Sequence, residues 1–297
     1  MKTPTNRRNF LKKSALALAG VGLMGQKGLA SEHKSTPESE ASIKEYRRLG
    51  RTDFMASDIG CGTPMIHDER FLKAILEKGV NYIDTAYQYG NGNGERMIGR
   101  AIKGMKRESL FITTKIFIDE KMSREDIYSE VKKCNERLDS GYIDCFQMHA
   151  ASSVKEIQNP EFRKAIKKLK RDGIIRFCGL SCHGQTWYMI SEPLEVVLNA
   201  AIDEGYYDLF LMVYNYAQRD QAERILKRCR EHDIAITLMK TDPFGGFYLT
   251  VKKSIDRYLN ENKEMPASLK RIHDRYLNKH QKARSFLDKY GLGSDSE

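Results

Sequence analysis

VNYIDTAYQYG, residues 80–90, is a short apolar run that closes on Asp84 and is followed five residues later by Tyr89. The same pattern is written twice more: LFITTK (110–115) closes on Lys115, and DCFQMH (144–149) closes on His149. Segments of helix length separate the runs. In alternating β/α chains the strands become parallel neighbours, and the chemistry gathers at their C-terminal edge. Adjacent strands lie about 4.8 Å apart, so Asp84, Lys115 and His149 can converge on one pocket. Tyr89 would enter it from the loop after the first of these strands.

Working outward, Phe71, Leu72, Ile75 and Leu76 recur at helical spacing within 69–78, and Gly79 is placed to stop that helix. Further strands are expected at 57–63, 110–115, 143–150, 175–182, 209–215 and 234–241, with helices at 124–138, 160–171, 194–204 and 221–231 between them. With the strand that carries Asp84, this gives seven strands from Ser57 onward. Before them, Leu49-Gly50-Arg51-Thr52 reads as a turn between two short strands, a hairpin suited to plugging the bottom of a barrel. The segment YGNGNGERMIGRAIKG (89–104) is not a dinucleotide fingerprint, because Met97 stands where the third glycine belongs. It reads as a mobile loop feeding a helix, with Glu95 favourable in the first turn. After Thr241 the alternation stops: 242–246 reads as a turn, 250–290 as helices, and no eighth strand is evident. The expected fold is α/β, a TIM-type (β/α)8 barrel with an N-terminal hairpin, incomplete at its eighth strand.

The ends of the chain differ from this body. Residues 1–30 pair Arg7 with Arg8, follow with Phe10, Leu11 and Lys12, run through a weakly apolar stretch at 15–24, and leave on Gly28-Leu29-Ala30. This resembles a twin-arginine signal peptide, whose apolar part is shorter than the 20 or so residues that span a bilayer. It implies passage through the twin-arginine export machinery and a periplasmic location, with no stable membrane insertion of the mature chain. Residues 31–44 are a polar tether, 45–248 the barrel, and 249–297 a basic helical tail. Removing the signal leaves 44 basic residues against 40 acidic ones, a net charge of +4. That is too small to argue for nucleic acid, and the basic surplus of the tail fits a solvated helix face. The cysteines lack any C-x-x-C, and those at 61, 145, 178 and 182 fall in strand-like runs, where a thiol is usually a small buried hydrophobe. No metal site is expected.

Tyrosine ionises near pH 10 and is a poor proton donor at neutrality. A neighbouring ammonium favours the phenolate, so Lys115 is expected to lower the pKa of Tyr89 and make it a general acid, with Asp84 as countercharge. His149 can hydrogen-bond a carbonyl oxygen beside the phenol. With no activated Ser or Cys evident, hydride from a nicotinamide is the natural nucleophile at the carbonyl carbon. The alternative is that Asp84 and Lys115 form a buried ion pair that fixes the barrel, with His149 a core histidine and Tyr89 loop packing.

At these residues the chain resembles the aldo-keto reductases, over RRLGRTDFMASDIGCGT, GVNYIDTAYQYGNGNGERMIGRAI, ITTKI, YIDCFQMHA, LKRDGIIRFCGLSCH and LMVYNY. The resemblance implies that Asp84, Tyr89, Lys115 and His149 are the catalytic tetrad, with Tyr89 the proton donor. It also implies NADPH as cofactor, bound extended across the strand ends, and a small carbonyl compound as substrate. Ser181, Cys182, Leu211 and Met239 fall at the cofactor positions. There Ser181 matches, Cys182 replaces an asparagine, Leu211 stands in place of a common glutamine, and Met239 in place of an aromatic ring. The family's eighth strand, with the Lys, Ser and Arg that grip the adenosine phosphate, has no counterpart, so weakened cofactor binding is expected. A barrel that binds a partner without turnover is the alternative function.

Overall fold

The computed structural model describes residues 43–184, 191–215, 218–241, 245–261 and positions scattered between 263 and 281. They all fall within Ser42–Glu297, which forms one compact unit. Residues 1–30, read as a signal peptide, and nearly all of 31–44, read as a tether, lie outside the described residues.

A two-stranded antiparallel hairpin, β1 (Tyr46–Arg48) and β2 (Met55–Ser57), precedes seven parallel strands. These are β3 (Cys61–Gly62), β4 (Tyr82–Asp84), β5 (Phe111–Ile116), β6 (Ile143–Met148), β7 (Ile175–Cys182), β8 (Leu209–Val213) and β9 (Ala235–Met239). Their spatial order is their sequence order. Each crossover after β3 carries a helix: α1 (Glu69–Glu77), α2 (Asn93–Ala101), α3 (Arg124–Leu138), α4 (Val154–Ile157) with α5 (Pro160–Arg171), α6 (Leu194–Glu204) and α7 (Arg219–Glu231). A final helix, α8, runs Gly245–Asn260.

Local chemistry sets the helix starts. At α3 the Ser123 hydroxyl accepts from Asp126 N while the Asp126 carboxylate accepts from Ser123 N, a reciprocal cap. At α5 the Asn159 side chain accepts from the first free N–H groups, and Pro160 sits where no N–H is needed. The buried face of α3 is Ile127, Val131, Cys134 and Leu138, one stripe at helical spacing.

Strand alternation divides the core in two. Outward residues such as Leu180, Cys182, Phe210 and Met212 form the layer beneath the helices. Inward residues Tyr82, Phe111, Cys145, Leu209 and Ala235 pack with Leu49 and Ala56 of the hairpin and floor the barrel. Each such large side chain contributes about 2 kcal/mol on burial. Gly50 closes this floor: its φ is +50°, and a Cβ there would lie 2.4 Å from Ala235 N. The Tyr82 hydroxyl reaches to 3.5 Å from Thr237 Oγ1, so the sheet curls far enough to bring β4 across to β9. Yet β3 and β9 do not pair. Among the described residues no strand fills the eighth position, and Leu238 on the edge strand is 46% exposed.

Seven parallel strands, the plugging hairpin and the missing closure match the reading of the sequence. The run 57–63 divides, with Ser57 ending the hairpin and only Cys61–Gly62 joining the barrel. Gly245 and Gly246, expected in a turn, open α8 instead. Residues 242–244 of that expected turn lie outside the described residues.

Candidate active site at the strand ends

Asp84 is the last residue of β4, Lys115 stands one residue short of the end of β5, and His149 follows β6 directly. The shared C-terminal edge therefore brings three of the four candidates together. Lys115, 1% exposed at its side chain, donates to Asp84 Oδ1 at 2.8 Å, to Oδ2 at 2.7 Å and to the Thr85 carbonyl at 2.6 Å. Those acceptors engage its three N–H groups. Asp84 also accepts from Thr113 Oγ1 at 2.7 Å.

Tyr89 arrives on the loop between β4 and α2, whose shape is held by Tyr89 N donating to Ala86 O and Gly94 N donating to Tyr89 O. Lys115 Nζ lies 5.5 Å from the centre of the Tyr89 ring. The His149 ring meets Tyr89 edge-on at 6.1 Å and stacks on Phe117 at 4.5 Å. Its Nδ1 is 3.0 Å from Gln88 Oε1.

The electrostatics correct one expectation. Burial first, and the Asp84 carboxylate second, raise the pKa of Tyr89 above the ordinary phenol value. The expected lowering by Lys115 is missing because its charge is neutralised by the carboxylate it holds. Burial, then Lys115, His183 and Lys240, push His149 down to about 3. Both groups are thus neutral near pH 7, a phenol that keeps its proton and an imidazole that hydrogen-bonds without carrying charge.

The four cofactor candidates separate. Ser181 is buried and its Oγ accepts from Ala150 N at 2.8 Å, leaving its own O–H to donate elsewhere. Leu211 pairs in register with Ser181 and with Thr237, giving an apolar step on the inner wall, and Met239 ends β9 half-buried. Cys182 belongs to the outer apolar layer, its thiol pushed up to about 12 by burial.

Two further polar residues were not singled out for their environment. Gln147 is completely buried, and among the described residues neither atom of its amide has a hydrogen-bond partner. Period two along 145–149 places it on the face of His149, which is the signal that could have found it. Glu95, expected only to favour a helix start, is fully buried against Thr114 Oγ1 at 2.6 Å and pairs with Arg137. Beside Tyr89 a cavity of about 280 Å³ is lined by Thr63, Ile66, Asn93, Met97 and Arg100. Among the described residues no cluster of His, Cys, Asp or Glu could hold a metal ion, and no helix is long and apolar enough to cross a membrane.

The model of the aldo/keto reductase family matches residues 60–295. The chain belongs to the aldo/keto reductase family. It is 34% identical over 156 residues to the aldo-keto reductase YhdN of Bacillus subtilis, covering 46% of each chain. The holo form of an aldo-keto reductase from Bacillus halodurans superposes with a TM-score of 0.53 at 26% identity, over 66% of each chain. An aldo-keto reductase from Klebsiella pneumoniae, solved in complex with NADP and acetate, shares the fold at a TM-score of 0.55 and 20% identity, over 72% of this chain and 77% of that one. The chain spans about half the length of the curated relatives it matches.

Proposed function

We propose that the chain is an exported reductase that uses NADPH to reduce an aldehyde or ketone, with Tyr89 as proton donor. The observation that carries this reading is the convergence of phenol, ammonium and imidazole on one point, with Lys115 Nζ 5.5 Å and the His149 ring 6.1 Å from the Tyr89 ring.

When bound, NADPH would supply the hydride that the carbonyl carbon takes up. Tyr89 gives its proton to the carbonyl oxygen as charge develops there, and the neutral His149 orients that oxygen by a hydrogen bond. The Asp84 and Lys115 pair sets the ammonium 5.5 Å from the centre of the Tyr89 ring but holds its charge to itself, and burial with the carboxylate keeps the phenol protonated until transfer.

The inner wall fits a nicotinamide in part. Leu211 and Met239 offer apolar surface, Ser181 offers an O–H, and the unpaired amide of Gln147 offers both a donor and an acceptor. Cys182 offers nothing toward the lumen. With no eighth strand among the described residues to grip the adenosine phosphate, affinity is lower than a closed barrel would give. Titrating the purified chain with NADPH and following its fluorescence tests the reading. Saturation is expected in the micromolar to millimolar range, and no saturation at millimolar cofactor contradicts it.

The replacements at Cys182 and Leu211 favour a second reading, a barrel that binds a partner without turnover, in which Tyr89→Phe leaves the biological role intact. Export rests on the Arg7-Arg8 signal pattern. Replacing both arginines by lysine should retain the chain in the cytoplasm, and unchanged recovery from the periplasm would contradict it.

A further inference from the structure

Gln88 stands outside the tetrad, yet among the described residues it is the sole hydrogen-bond partner of the His149 ring, its Oε1 3.0 Å from Nδ1. The ring plane is already held by Phe117, stacked at 4.5 Å with the planes 10° apart. What remains free is the position of the proton. A neutral imidazole carries one N–H, and the group facing one nitrogen decides what the other presents. With the Gln88 oxygen on Nδ1, that nitrogen keeps the proton and Nε2 offers only a lone pair, which repels a carbonyl oxygen. Turn the amide half a revolution and its NH2 donates to Nδ1. The proton then resides on Nε2, where it can be donated.

Gln88 shares its loop with Tyr89, and that loop is anchored by Tyr87 N donating to the carbonyl of Lys115 at 3.0 Å. One short segment therefore carries both the phenol and the amide that reads the imidazole. We propose that Gln88 is a positioning residue that sets the tautomer of His149, and that the carbonyl-binding state has the amide nitrogen on Nδ1. This rests on the reductase reading for its purpose, while the coupling of amide to tautomer stands apart from turnover.

Nitrogen NMR of the full chain labelled in its histidines, with His149 assigned by H149Q, separates the two. Gln88→Glu presents only acceptors to Nδ1, so His149 should be held in the Nδ1–H form. The carboxylate should also raise its pKa, against burial and the opposing charges of Lys115 and Lys240. Gln88→Leu, which presents neither donor nor acceptor, should shift the tautomer ratio away from that of Gln88→Glu. The same ratio in all three chains overturns the proposal. For turnover, Gln88→Glu should lower kcat at least tenfold with the NADPH dissociation constant unchanged, and a full kcat overturns the assigned donor orientation. A wild-type chain without turnover sinks the reductase reading and leaves the tautomer result to be judged on the NMR alone.

Discussion

Lys115 donates to both carboxylate oxygens of Asp84, at 2.8 and 2.7 Å, and so directs its charge to the neighbouring strand rather than to the phenol of Tyr89. The third N–H goes to Thr85 O. Tyr89 therefore feels burial and the carboxylate more than the ammonium, and keeps its proton.

Asp84→Asn removes the carboxylate that helps raise the Tyr89 pKa and leaves the ammonium uncompensated. The phenol should ionise at lower pH than in the wild type, read as an ultraviolet difference titration against Tyr89→Phe. Breaking one side of a buried pair should also cost about 3–5 kcal/mol in denaturant unfolding. An unchanged phenol titration in a folded variant would show that Asp84 does not govern Tyr89.

Acid should destabilise the chain through its buried imidazoles. His149 and His183 are both pushed down to about 3, against 6.5 for the unperturbed group. Between those values the unfolded chain binds more protons than the folded one, so stability is full above pH 6.5 and falls as pH drops toward 3. The slope from each is at most about 1.4 kcal/mol per pH unit. Denaturant curves from pH 7 to 4 on the wild type and on His149→Gln read it; equal slopes in the two chains would contradict the buried-neutral assignment of His149.

Gln147→Met should stabilise the chain. The amide is fully buried with both polar atoms unpaired, a state that costs about 1–3 kcal/mol, whereas a methionine of similar shape pays no such penalty. A rise of about 1–2 kcal/mol in unfolding free energy is expected. A loss of stability would mean that the amide is satisfied in solution by ordered water.

Arg137→Met leaves the buried carboxylate of Glu95, which also accepts from Thr114, without its countercharge, and should cost about 3–5 kcal/mol. The double variant Glu95→Leu with Arg137→Met should recover most of that loss. Additive losses would place the damage in packing rather than in an unpaired charge.

The architecture is legible in the sequence because its signals are local. Helix 124–138 forms with the bounds expected of it, and the Ser123–Asp126 cap found in the structure starts it. Apolar runs ending on Asp84, Lys115 and His149 become strands with those residues at one edge. What was misread depends on partners distant in sequence. The Asp84 and Lys115 pair is read correctly, but the burial that outweighs the ammonium at Tyr89 depends on the whole fold around the ring. Glu95 stands in the first turn of its helix as read, but nothing local announces its burial against Arg137, 42 residues later. Gly245 and Gly246 carry turn propensity, and the helix they open overrides it. Gln88 gives no signal at all, since its partner His149 lies 61 residues on.

The central claim is that Tyr89 delivers the proton in a carbonyl reduction. It is tested most directly by following NADPH oxidation in the presence of a small aldehyde, in wild type and Tyr89→Phe, with cofactor binding measured in parallel. Loss of the phenol hydroxyl should lower kcat by about 100-fold or more while both chains bind NADPH alike. Equal turnover in the two chains would contradict it.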